Sequence, residues 1–174
     1  MVMAYSGQVN AIVPFEVQSS STASVQLEYA GVESAVVTVP VAPAAPGIFT
    51  ANSSGTGAIA ALNQNGSLNS STSPAETGSI VTLYLTGAGQ TTPAGVDGLV
   101  AVNPSSLPLP ALPVSVRIGG LPATVYYAGN SVGIVSGAIQ LNVMVPAGLS
   151  SGPQTVSVKV GSASSQPGVT IAVQ

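Results

Sequence analysis

The feature that most constrains this chain is a period of two. Val25-Gln26-Leu27-Glu28-Tyr29 and Val114-Ser115-Val116-Arg117-Ile118 alternate apolar and polar residues. Ile139-Gln140-Leu141-Asn142-Val143-Met144-Val145 places Ile139, Leu141, Val143 and Val145 on one side. Thr155-Val156-Ser157-Val158-Lys159-Val160 sets its valines against Thr155, Ser157 and Lys159. Successive side chains of a strand point to opposite faces, so each run makes a ribbon with one buried and one wet face, the antiparallel sandwich pattern. Val, Ile, Thr and Tyr dominate these runs and suit a half-buried pleated surface. No long segment free of Gly and Pro carries a 3.6-residue period, so no helix beyond isolated turns is predicted. The fold class is predicted to be all-β.

Turn chemistry punctuates the strands. Asn65-Gly66, between runs at 58–63 and 67–69, predicts a hairpin. Gly119-Gly120 separates the strand at 114–118 from 123–128, and 161–167 leads to a last strand at 169–173. Residues 87–112 are rich in Gly, Pro, Ser and Thr and are predicted to be a long exposed connection. The stiff, apolar stretch Ala42-Pro43-Ala44-Ala45-Pro46-Gly47 is the best domain boundary.

An internal repeat supports that boundary. Val9-Asn10-Ala11-Ile12-Val13-Pro14 matches Leu141-Asn142-Val143-Met144-Val145-Pro146. Each is followed by a Ser/Gly-rich turn, an alternating strand (24–29 or 155–160), a Gly and Ser turn, and a last strand at 36–39 or 169–173. The shared unit is far shorter than a sandwich of about 100 residues. It reads as the second half of a sandwich, present twice. The C-terminal copy has a first half upstream, from Ile80 onward; the N-terminal copy has almost nothing before it. The expected architecture is an incomplete, three-strand immunoglobulin-like half-domain in 1–45, then a complete immunoglobulin-like antiparallel β-sandwich in 46–174.

Composition removes whole classes of chemistry. Of 174 residues only Arg117, Lys159, Glu16, Glu28, Glu33, Glu76 and Asp97 are charged, and there is no Cys or His. Disulfides, haem ligation, classical zinc sites and Ser-His-Asp or Cys-His catalysis cannot be built within one chain. Two cations cannot neutralise a phosphate backbone, so no nucleic-acid partner is expected. No apolar run approaches the roughly 18 residues of a membrane span, so no membrane insertion is expected. The first residues lack a basic and an apolar signal region, so any export signal is expected outside this chain.

Several runs, taken in order, point to a family. They are Gly7-Gln8-Val9-Asn10-Ala11-Ile12-Val13-Pro14-Phe15-Glu16-Val17, Ala44-Ala45-Pro46-Gly47-Ile48-Phe49-Thr50 and Ala60-Ala61-Leu62-Asn63-Gln64-Asn65-Gly66-Ser67-Leu68-Asn69. Val81-Thr82-Leu83-Tyr84-Leu85-Thr86-Gly87-Ala88-Gly89-Gln90, Ile118-Gly119-Gly120-Leu121-Pro122-Ala123 and 141–146 complete the set. Together they resemble the Solibacter-type uncharacterised C-terminal domain family of acidobacterial secreted proteins. The second halves are also similar to the immunoglobulin-like, plexin and transcription factor (IPT/TIG) sandwich. The resemblance implies an extracellular or cell-surface module and no particular activity. Family members carry a complete first sandwich, from which this chain departs.

Candidate chemistry is sparse. Gly129-Asn130-Ser131-Val132-Gly133 matches the nucleophile-elbow spacing, but that motif needs a following helix and a His base, so a surface loop is the expected role of Ser131. Glu28 and Glu33 could form a glycosidase-like acid pair. They are expected instead to be exposed charges that deter edge aggregation. Asp97, in Gly95-Val96-Asp97-Gly98, could contribute to a weak calcium site, and a turn is the expected role. Lys159 on a wet face argues against an isopeptide bond. Tyr84, Tyr126 and Tyr127 could form a sugar-stacking platform. Strict alternation, however, puts one of Tyr126 and Tyr127 in the core. Asn52, Asn65 and Asn69 head N-x-S/T sequons and are expected to be chance occurrences. No catalytic, metal or cofactor site is assigned. The expected function is a non-enzymatic extracellular structural or adhesive module. Self-association through the N-terminal half-domain is the first alternative and a minimal hydrolase using Ser131 or an acid pair the second. A surface polysaccharide or protein is the expected type of partner.

Overall fold

The computed structural model describes residues 3–174, and the chain divides into two units, Met1–Pro43 and Ala44–Gln174.

The first unit is three small antiparallel hairpins rather than three strands of one sheet. β1 (Met3–Tyr5) pairs with β2 (Gln8–Asn10), β3 (Thr22–Val25) with β6 (Val37–Pro40), and β4 (Glu28–Tyr29) with β5 (Val32–Glu33). A 3-10 turn at Phe15–Ser19 separates the first hairpin from the others. Ala30 and Gly31 close β4–β5 with φ of 51° and 78°, the two positive angles that a type I′ turn demands. None of residues 3–43 is buried.

In the second unit, β7 (Gly47–Ile48), β8 (Gly57–Ala58), β9 (Ala61–Leu62), β10 (Ile80–Thr86), β11 (Thr91–Thr92), β12 (Leu109–Pro110) and β13 (Val114–Ile118) come first. They are followed by β14 (Leu121–Ala123), β15 (Val125–Asn130), β16 (Ala138–Met144), β17 (Gly152–Val160), β18 (Ala163–Ser164) and β19 (Val169–Val173). One sheet runs β15-β16-β10-β7, with β9 also on β10; the other runs β14-β13-β17-β19-β8, with β18 also on β17. The alternation sets the register. Val81, Leu83 and Leu85 face Val143, Leu141 and Ile139 across β10–β16, and Val116 and Ile118 face Val158 and Val156 across β13–β17. All of these join one aliphatic core drawn from both sheets, with Val169, Ile171 and Val173. Each fully buried Val, Leu or Ile contributes roughly 1.5–3 kcal/mol, and a slip of one residue would turn the whole set to solvent. No aromatic side chain belongs to this core or packs against it among the described residues.

The repeat is visible in the hydrogen bonds. Ser34 N–H donates to the Leu27 carbonyl at 2.8 Å and Leu27 N–H to Ser34 Oγ at 3.0 Å. Ser165 and Val158 repeat the pair at 2.8 and 3.1 Å. β4–β5 thus corresponds to the end of β17 with β18, and β3–β6 to the start of β17 with β19. Burial differs: Leu27 and Tyr29 are 51% and 86% exposed, whereas Val158 and Val160 are 1% and 0% exposed. In the second unit β13 and the opposite sheet cover this motif.

Residues 87–112 are more ordered than expected. β11 pairs with β12, Val100 bridges Val135, and Ala88, Thr91 and Ala101 are buried. The predicted Asn65-Gly66 turn is present: Asn63 N–H donates to Ser67 O at 2.8 Å, with Gly66 at φ 82°. The C-terminal strand is held twice. β8 lies parallel to β19, and Ala75 bridges Val173 in the same sense. Two side-chain amides also act in place of strands. Gln166 accepts from Ile48 N–H at 2.9 Å and donates to its carbonyl at 2.7 Å. Asn69 treats Ala172 the same way, with both distances 2.9 Å.

Candidate functional site

The outer face of the β15-β16-β10-β7 sheet gathers the most distinctive side chains. The register fixes it: residues between the core positions of β10 and β16 point outward, so Thr82 lies opposite Asn142 and Tyr84 opposite Gln140. Ile48 pairs with Leu85 on the core side, so the next residue, Phe49, faces out; its N–H donates to the Tyr84 carbonyl at 3.1 Å, and its side chain is 42% exposed.

On β15 the alternation breaks. Val125 pairs with Val143, but the next pair is Tyr127 with Asn142, leaving Tyr126 as an extra residue at a β-bulge. A bulge sets two residues against one and re-aims their side chains. Tyr126 is 61% exposed and its hydroxyl reaches Met144 Sδ at 3.7 Å, on the outer side. Tyr127 is partly buried, and its hydroxyl donates to the Asn130 carbonyl. The expectation that one of these tyrosines enters the core is therefore corrected: both belong to the outer face. With Phe49 and Tyr84 they are all four aromatic residues of the second unit.

Amides occupy the middle of the face in a fixed ladder. Ser131 Oγ donates to Gln140 Oε1 at 2.8 Å, Gln140 Nε2 to Asn142 Oδ1 at 2.9 Å, and Thr82 Oγ1 to the same oxygen at 3.2 Å. Asn130 Oδ1 is the one fully buried side-chain polar atom without a partner among the described residues. Asn142 Nδ2 and the Tyr84 hydroxyl, which bond no protein group, therefore reach solvent. Beside Tyr127 is a depression of about 280 Å³, lined by Leu107, Asn130, Ser131, Val132, Gln140 and Asn142. None of these residues is charged.

A second depression, of about 620 Å³, lies between the Asn63–Asn65 turn and the Thr72–Ser79 loop and contains Glu76. Its amide is committed to the fold. Asn63 Nδ2 donates to Ser73 O at 2.8 Å and is within reach of Ser67 and Ser73 hydroxyls, while its Oδ1 accepts from Asn69.

Ser131 leads into a turn and then β16, not a helix, and its proton points at an amide oxygen that is not a base. Glu28 and Glu33 are brought together, directly opposite on an exposed hairpin, where Glu33 accepts from Gln26 at 3.1 Å. Like charges so placed weaken the pair. Asp97-Gly98 forms a turn closed by Leu99 N–H to Val96 O at 3.2 Å, with Gly98 at φ 72°. No cluster of three metal-ligating side chains occurs among the described residues. Lys159 is exposed opposite Ser115 and Ser164. Asn52 and Asn65 each cap a turn by accepting from Ser54 or Ser67, and Asn69 is buried. No helix is long and apolar enough to cross a membrane among the described residues.

Burial raises the Tyr127 phenol above its ordinary value of about 10. Its neutral form is favoured in the native state. Its contribution is therefore fully present below the unfolded pKa and is lost as pH rises through the higher folded one. A phenolate absorbance titration should show one tyrosine ionising last, and Tyr127→Phe should remove that phase.

Comparison with family models, curated proteins and solved structures finds no match to this chain.

Proposed function

We propose that residues 44–174 form an immunoglobulin-like, non-enzymatic structural and adhesive module of a secreted or cell-surface bacterial protein, as the resemblance to the Solibacter-type family implies. The observation that carries this reading is how the unit's ends are tied. β19 runs parallel to β8, and the Asn69 and Gln166 amides clasp Ala172 and Ile48 across 103 and 118 residues of chain. Pulling parallel strands by opposite ends loads their hydrogen bonds together in shear rather than one at a time, which suits a module under tension. Force spectroscopy on the unit tethered at Ala44 and Gln174 should give one cooperative rupture. Progressive unzipping without a force peak would refute a load-bearing role.

A second reading, the self-assembling subunit, is favoured by one feature of the first unit. Its described residues include ten exposed large hydrophobic side chains, from Tyr5 to Val39, and none that is buried. Isolated hairpins without a packed face are marginal in water. Light scattering should then show self-association that disappears when residues 1–43 are removed. A full-length monomer at high concentration with these hairpins protected from exchange would exclude it.

A further inference from the structure

We propose that the outer face of the β15-β16-β10-β7 sheet binds an uncharged polysaccharide. One sugar ring would sit in the depression beside Tyr127, and its neighbours would stack on exposed aromatic rings. This rests on the adhesive part of the reading above and names its ligand class.

The distribution of aromatic residues is the first argument. Aromatic side chains bury 150–250 Å² each and normally dominate cores. Here the core is wholly aliphatic, while Phe49, Tyr84, Tyr126 and Tyr127 share one outer face. Stability alone does not favour that placement, and an exposed apolar patch rimmed by polar groups marks an interaction site. The bulge adds to the case. Without it Tyr126 and Tyr127 would point to opposite sides; with it both serve one surface.

Charge and hydrogen bonding select the ligand. Tyr126 and Tyr127 on β15 and Phe49 after β7 lie at the two edges, and Tyr84 on β10 lies between them with Gln140, Asn142 and Thr82. Neither this set nor the lining of the depression carries a charge. Arg117 and Lys159 are exposed on β13 and β17 of the other sheet, so an anionic ligand finds no counter-ion here. The ladder from Ser131 to Thr82 fixes the amides while leaving Asn142 Nδ2 and the Tyr84 hydroxyl free to bond. A pyranose matches both demands. Its C–H face is apolar and slightly positive, against the negative face of an aromatic ring, and its rim of hydroxyls both donates and accepts. The depression, about 280 Å³, lies just below the usual range of roughly 300–1,000 Å³ for small-molecule sites and suits one ring. Three inter-strand spacings of about 4.8 Å separate β15 from β7, room for a short run of rings.

The test uses the full chain with suspensions of cellulose, xylan, mannan and chitin. A polyuronate and a proline-rich peptide are the competing occupants. At least one neutral polymer should retain the protein equally at low and high salt, since no charge pair is involved. Tyr126→Ala, at an exposed position, should weaken retention roughly tenfold, the scale of one lost stacking contact, with an unchanged unfolding midpoint, and Tyr84→Ala should weaken it to a similar extent. Asn142→Leu should weaken it while leaving all the rings in place. Retention by none of the neutral polymers, retention insensitive to all three substitutions, or preference for the polyuronate or the peptide would overturn the proposal. A cooperative force peak alongside any of those outcomes would leave the load-bearing reading standing.

Discussion

Asn69→Ala should lower the unfolding free energy of the second unit by about 2–4 kcal/mol, read as a shift in the urea midpoint. The Asn69 side chain is 8% exposed and stands in for a strand. Its Nδ2 donates to the Ala172 carbonyl and its Oδ1 accepts from Ala172 N–H, both at 2.9 Å; Nδ2 also donates to Asn63 Oδ1 at 3.0 Å. Alanine leaves the Ala172 N–H and the Asn63 amide oxygen unpaired, while the Ala172 carbonyl keeps the bond it accepts from Ala75 N–H at 2.9 Å. Each unsatisfied buried group costs about 1–3 kcal/mol, and the sum is reduced where water enters. Against a usual total of roughly 5–15 kcal/mol that is a large loss. Asn69→Asp makes the test specific. It keeps the acceptor for Ala172 N–H but sets a carboxylate against two carbonyl oxygens, which raises the folded pKa of the introduced carboxyl above the unfolded value of about 3.9. The neutral form of that carboxyl is then the better tolerated, so this variant should be most stable at acid pH and lose stability as pH rises through the unfolded pKa toward the folded one. Asn52→Ala, which removes only an exposed turn contact, should cost well under 1 kcal/mol. Equal effects at positions 52 and 69 would mean that the clasp contributes nothing.

What could be read from the sequence followed the range of each signal. Alternation is a local property of the backbone, so β13, β16 and β17 and their core residues were legible, as was the Asn65-Gly66 turn. Burial is not local. Leu27 and Val158 sit in the same pattern with the same serine hydrogen bonds, yet only Val158 is covered. The pairing of β8 with β19 and the two amide clasps join residues more than 100 positions apart and leave no periodic trace. Asn69 was therefore legible only as part of a sequon. At the candidate site the tyrosines could be named, but their common face could not. One extra residue at Tyr126 inverts the parity that the alternation rule relies on. Gln140, Asn142 and Thr82 read as ordinary wet-face positions, and only the register reveals that they form a ladder between aromatic edges. Phe49 follows a single core residue of a two-residue strand, too short for any period to show.

Gly87→Ala should cost about 4 kcal/mol or more, a size that demands a specific mechanism. Gly87 has φ 74°, where a Cβ would lie 1.9 Å from the Ala45 carbonyl oxygen and 2.6 Å from its carbon. These are backbone atoms and cannot swing aside. The same glycine accepts from Ala45 N–H at 2.8 Å, so relief of the clash breaks the contact that starts β7. Gly66→Ala is the matched control: φ is 82°, but nothing lies within 4 Å. It should cost only the left-handed penalty of roughly 1–2 kcal/mol. The difference between the two variants isolates the close approach from the backbone angle. Because β7 holds Ile48 against Leu85 and sets Phe49 on the outer face beside Tyr84, the damage should be local before it is global. Hydrogen exchange should show Ile48 and Phe49 amides deprotected in Gly87→Ala while Leu141 and Val143 on β16 stay slow. If the glycan surface extends to this edge, retention on the polymer should fall in the same variant and not in Gly66→Ala. Equal costs at positions 66 and 87 would show that Ala45 does not approach so closely, and would take Phe49 out of the face with it.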